Sequence, residues 1–182
     1  SGHGERIYAV ASLGVEPQGI WEYHVVNRVL RRLVDGANSP FVVTRLVEPH
    51  EFRVKSFDGL EIPCFLFQSP GGASFSTSKS PPARRPVVIY LPPPTLQFQR
   101  SFQGESQLFA NLGFHFVAVN YRGCDGYGRD YAALKSPADQ ARDVLAAYEE
   151  LSKDPSVDTS NVFLLAVCGG EGTLQELLAR SP

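Results

Sequence analysis

Three runs, PVVIYL (86–91), FHFVAV (114–119) and VFLLAV (162–167), are apolar nearly throughout, and the segments between them carry helical spacing. A strand without a polar face must be covered on both sides, which is the condition of parallel strands joined by crossover helices. The intervening segments supply such helices. SQLFANLG ends at Gly113, and SPADQARDVLAAYEELSKD opens with a serine suited to capping and has a lysine near its end. The second half of the chain is therefore predicted to be an α/β sheet with helices on both faces.

The first half has a different pattern. RIYAVASL, GIWEYHVV and VLRRLV are short strand-like runs broken by GVEPQ, a two-residue joint and DGANSP, and they predict an antiparallel meander. A meander of this size cannot bury both faces alone, so it is expected to pack on the remainder or to end something larger. In FVVTRLVEPHEFRVKSFDGLEIPCFLFQSP, the SFDGLEI stretch marks a hairpin through Asp58-Gly59. The main sheet is thus expected to be mixed at its start and parallel afterwards. GGASFSTSKSPPARRP, rich in Gly, Ser and Pro, reads as an exposed, mobile hairpin insertion.

Composition narrows the function classes. With 43% apolar and 20% charged residues and a net charge of -2 over 182 residues, this is a globular chain with no footprint for nucleic acid. No run approaches roughly eighteen apolar residues and no signal peptide opens the sequence, so no membrane association is expected, although a mature secreted protein would look the same. Cys64, Cys124 and Cys168 lack paired spacing, which argues against a disulfide framework or a cysteine-rich zinc site and for a reducing, cytoplasmic setting. His3, His24, His50 and His115 are scattered, so neither metal nor cofactor is assigned.

In FLLAVCGGEGTLQELLARSP the apolar run breaks into small residues and resumes with the leucine spacing of an amphipathic helix. That is strand, tight turn, helix, with Cys168 at the turn. From the residues alone the thiol is an activated nucleophile, a small buried hydrophobe, or the remnant of a former site.

Read together, FDGLEI, PVVIYLPPP, LFANLGFHFVAVNYRGCDGYGRDY, the helix carrying Asp143 and VDTSNVFLLAVCGG resemble the prolyl oligopeptidase family of serine peptidases, in particular its acylaminoacyl-peptidase and dipeptidyl-peptidase branches. The resemblance runs from about Glu48 to the end, and NYRGCDGYGRDY is its most specific part. It implies an α/β-hydrolase-type sheet, here its N-terminal half, over residues 48–182. Residues 1–47 would be the end of a β-propeller-like domain and a linker, because the meander looks like a propeller blade.

The resemblance also assigns site positions. The family's elbow reads Gly-x-Ser-x-Gly, and Ala166, Cys168 and Gly170 stand in those three places, followed by Glu171. A thiol can serve as nucleophile, as in dienelactone-hydrolase-like enzymes, if it ionises; the Glu171 carboxylate in the first helical turn opposes that. Gly169 would supply one oxyanion donor. The family's His-Gly-Gly-Pro loop, whose N–H groups face the oxyanion, is matched by Leu91, Pro92, Pro93 and Pro94, and proline has no N–H. The triad order on this fold is nucleophile, acid, histidine, yet the fourteen residues after Cys168 contain neither Asp nor His. His115, in a strand pattern before the elbow, is a poor base.

These positions predict a family homologue with a degenerate site, weakly active or non-catalytic. One alternative is a hydrolase using Cys168, with Asp and His supplied from about a hundred further residues beyond Pro182 or from another chain; another is a dienelactone-hydrolase-like esterase. The expected partners are a peptide or acyl-peptide substrate if active, and the remainder of the hydrolase domain or a second chain to cover an open sheet edge.

Overall fold

The structure, a computed structural model, describes residues 4–12, 17–34, 46–70, 84–95, 98 and 102–180. Two sheets account for its strands. β1 (Arg6–Ala11), β2 (Gly19–His24) and β3 (Val29–Val34) form an antiparallel meander in that order, as the sequence predicts. It covers little of itself: Ile7, Val10, Val26 and Leu30 are exposed, while Glu22 is buried between Arg6 and Arg31, each 3.3 Å away. A tie to the rest of the chain runs from Phe102 N–H to Ser12 Oγ, at 2.9 Å.

The second sheet has the order β4-β5-β7-β6-β8, with β4 His50–Lys55, β5 Glu61–Phe67, β6 Arg85–Leu91, β7 His115–Val119 and β8 Val157–Ala166. β4, β5 and β7 pair antiparallel, whereas β6 pairs parallel with both β7 and β8, so the mixed-then-parallel expectation holds. The β4–β5 hairpin turns at Asp58-Gly59, where Gly59 takes a φ of +85°. Most of the Gly-Ser-Pro segment lies outside the described residues, as does FVVTR.

Four helices flank this sheet: α1 Gly104–Asn111, α2 Arg129–Ala132, α3 Pro137–Leu151 and α4 Glu171–Arg180. Ser136 caps α3 by accepting from Asp139 N–H, with Pro137 as the first helical residue. Strand alternation splits the core. Val87, Ile89 and Leu91 join Val117, Val119, Val144, Ala147 and Leu177 on one face, while Val88, Phe116, Phe98 and Ala110 pack on the other.

One expectation is corrected. VFLLAV was predicted to be a buried strand, but Phe163 is 50% exposed and Val162, Leu164 and Leu165 are only half-buried. β8 pairs only with β6 among the described strands and is therefore a sheet edge, a neighbour relation that apolar content does not reveal.

Candidate active site

β6 and β8 end side by side, with Leu91 opposite Ala166 and Val167 N–H donating to Leu91 O at 3.4 Å. The chain then turns sharply. Cys168 takes a φ of +51°, a left-handed conformation costing a non-glycine residue about 1–2 kcal/mol, and Gly170 N–H closes the turn on Val167 O at 3.1 Å. The thiol is exposed, so Cys168 is not the small buried hydrophobe that the sequence left open.

The small residues around it have steric reasons. A Cβ on Gly170 would lie 2.8 Å from Leu91 O and 3.4 Å from Leu91 Cβ, and one on Gly169 would lie 2.8 Å from Pro94 Cδ. Ala166 is accommodated, since its Cβ would stand at an ordinary 3.5 Å from that of a residue at 170. Glu171 opens α4 on the exposed surface. Strand alternation turns Tyr90 to the other face of the sheet, where burial, Glu105 and Cys168 together push its phenol pKa up. Nothing in the sequence pattern singles out Tyr90.

Facing the turn, Leu91 and Pro92 are buried and Pro93 and Pro94 half-buried. Both outer prolines of this loop use their carbonyls as acceptors: Tyr121 Oη donates to Pro92 O at 2.6 Å, and Asp125 N–H donates to Pro94 O at 3.1 Å. Further along, Asn120 clasps Phe98, accepting from its N–H at 2.8 Å and donating to its carbonyl at 3.0 Å. The loop after β6 is thus stapled by the turn after β7.

That turn is itself anchored by Arg122. Its guanidinium meets Asp143 at 2.8 and 2.9 Å and Asp58 at 2.9 and 3.0 Å, and Ser56 Oγ donates to the same Asp143 carboxylate. The carboxylates hold the Arg122 pKa above its ordinary value, and the Arg122 hydrogen bond lowers that of Asp58. Hairpin tip, turn and α3 become one unit. Cys64 and Cys124 are buried and free, and burial pushes the Cys124 thiol up to about 12.

His115 is not brought to Cys168. It pairs with Val87, at the opposite end of the parallel strands from Leu91 and Ala166. There Nδ1 accepts from Ser69 N–H at 3.2 Å and Nε2 lies 3.3 Å from Ser156 Oγ, which donates to Asp154 at 2.7 Å. His24 sits on β2 and His50 on β4, while His3 lies outside the described residues. Among the described residues no group of three or more His, Cys, Asp or Glu could hold a metal ion, and no helix is long and apolar enough to cross a membrane.

A mixed sheet with flanking helices and a strained strand–turn–helix elbow defines an α/β-hydrolase fold. The family model for the prolyl oligopeptidase family matches residues 100–170, which contain both NYRGCDGYGRDY and the elbow. The Pyrococcus horikoshii acylaminoacyl peptidase is 25% identical with a TM-score of 0.79, over 97% of this chain and 28% of that one. A Mycobacterium tuberculosis puromycin-hydrolyzing peptidase is 20% identical with a TM-score of 0.81, over 98% and 27%. Porphyromonas gingivalis dipeptidyl peptidase 4 is 17% identical with a TM-score of 0.76, over 99% and 26%. No curated protein matches the sequence. Over residues 100–170 the chain is similar to the prolyl oligopeptidase family, and it spans little more than a quarter of the length of these solved structures.

Proposed function

We propose that this chain carries the nucleophile elbow of a peptidase homologue in which acyl transfer is weak or lost. The observation that supports it is the Pro92–Pro94 loop: three consecutive residues facing the elbow lack an N–H, and two of their carbonyls are already engaged. Loss of one oxyanion donor costs about 10²–10³ in rate, leaving the Gly169 N–H to act without that loop. Glu171 adds a carboxylate three residues from the sulfur.

A second reading draws on the elbow itself. The exposed thiol on a left-handed residue is the geometry a nucleophile needs, and an acid and base supplied beyond residue 182 or by another chain would complete it. On either reading residues 1–47 end a propeller-like domain and residues 48–182 begin the hydrolase domain. The partners are an acyl-peptide or peptide substrate and whatever covers β8. Three free cysteines suit a reducing, cytoplasmic setting.

Hydrolysis of acylated-peptide and dipeptidyl substrates by the full-length polypeptide separates these readings. Turnover at background, unchanged by Cys168→Ala, supports the first. Turnover abolished by that substitution supports the second, and turnover well above background but insensitive to it would place the chemistry elsewhere.

A further inference from the structure

Beneath the exposed turn runs a chain of buried polar groups that the elbow residues do not explain. It starts at Pro92 O, which accepts from Tyr121 Oη at 2.6 Å. The Thr173 side chain also contacts that phenol, opposing the rise in pKa that burial imposes on it. Thr173 Oγ1 donates to Gln140 Oε1 at 2.8 Å, and Gln140 Nε2 donates to Arg122 O at 3.0 Å. Tyr121, Thr173 and Gln140 are all at most 4% exposed. Through these buried groups the chain links the proline loop, α4, α3 and the turn after β7.

Thr173 is its junction. It is the only hydroxyl on α4, five residues beyond Cys168. Pro94 Cδ lies 2.8 Å from where a Cβ on Gly169 would be, so the proline ring sits directly against the turn that leads into α4. We propose that Thr173 is a positioning residue: its hydroxyl fixes α4 to Gln140 on α3, beside the Tyr121 phenol that holds Pro92 O, and so sets how closely an electrophile can approach the Cys168 thiol. This rests on the Cys168 turn being the site.

The buried Cys64 and Cys124 provide internal controls, because only a general opening of the fold exposes them. Site-resolved alkylation of the full-length polypeptide by iodoacetamide should show Cys168 reacting at least about fivefold faster in Thr173→Val, the shift that one lost buried hydrogen bond permits in a local equilibrium. Cys64 and Cys124 should stay protected. Thr173→Ser, which keeps the hydroxyl, should hold the wild-type rate. If Thr173→Val does not fold, Tyr121→Phe breaks the same chain at its other end and carries the same expectation. An unchanged Cys168 rate in a folded variant overturns the proposal, as does a parallel rise at all three cysteines. Turnover dependent on Cys168 in the wild-type protein would contradict weak acyl transfer but leave the Thr173 effect standing, so the two failures are distinguishable.

Discussion

Asn120–Cys124, leaving β7, and Val167–Gly169, leaving β8, emerge at the same end of the sheet. The first is buried throughout, with the Asn120, Tyr121 and Arg122 side chains bonded to the β6 loop, the hairpin tip and α3. The second is exposed and carries the left-handed Cys168, followed by Gly169 and Gly170, which pack closely against Pro94 and Leu91. One turn distributes its anchoring over many polar partners; the other depends on the absence of side chains. The Arg122 ion pairs and the close packing around Gly169 and Gly170 share no residue, so either can change without the other.

The contrast is broken most forcefully at Arg122. Arg122→Ala leaves the Asp143 carboxylate buried without its cation and should cost about 3–5 kcal/mol in urea unfolding. A loss below about 1 kcal/mol, the scale of a surface pair, would mean that the turn after β7 is not held as described.

At the other turn, Gly170→Ala forces a methyl against Leu91 O and should cost about 1–3 kcal/mol, whereas Gly172→Ala, two residues on with nothing within 4 Å, should gain about 0.4–1 kcal/mol. Similar values for the pair would remove the claim that close packing shapes the elbow.

The smallest effect is at the far end of the strands. Burial is the largest influence on His115 and lowers its pKa; Arg85 acts in the same direction, and Ser156 and Asp154 oppose them. Because the folded pKa lies below the unfolded value of about 6.5, the unfolded chain binds the extra proton first. Stability should fall as pH drops below about 6.5 and level off once the folded pKa is passed. Protonation would also remove the acceptor that Nδ1 offers to Ser69 N–H. His115→Gln should flatten this part of the profile, measured by urea unfolding between about pH 7.5 and 5.

The parts of this architecture that were legible in the sequence are those set by local periodicity. Apolar runs gave the parallel core strands, Asp58-Gly59 the hairpin, Ser136 the start of α3 and Gly113, with a φ of +98°, the end of α1. What depended on neighbours was not. β8 has the composition of an interior strand and is exposed because nothing described pairs beyond it. The family resemblance placed Cys168 at the elbow, but neither its left-handed φ nor the close approach of Leu91 and Pro94, more than seventy residues earlier in the chain, to Gly170 and Gly169. Likewise, Thr173 and Gln140 are 33 positions apart, and no spacing rule couples them. Tyr90 read as one more strand aromatic until the sheet brought its phenol toward Glu105 and Cys168.

The central claim is that an elbow of the right shape does little acyl transfer beside three consecutive prolines that carry no N–H. Its most direct test is peptide-resolved mass spectrometry of the full-length polypeptide after brief exposure to a p-nitrophenyl ester of an acylated amino acid, at neutral pH, in parallel with Cys168→Ala. The expected result is no thioester on the Cys168 peptide and equal release of p-nitrophenol from both proteins. A rapid, near-stoichiometric thioester at Cys168, with a burst that the alanine variant lacks, would contradict it.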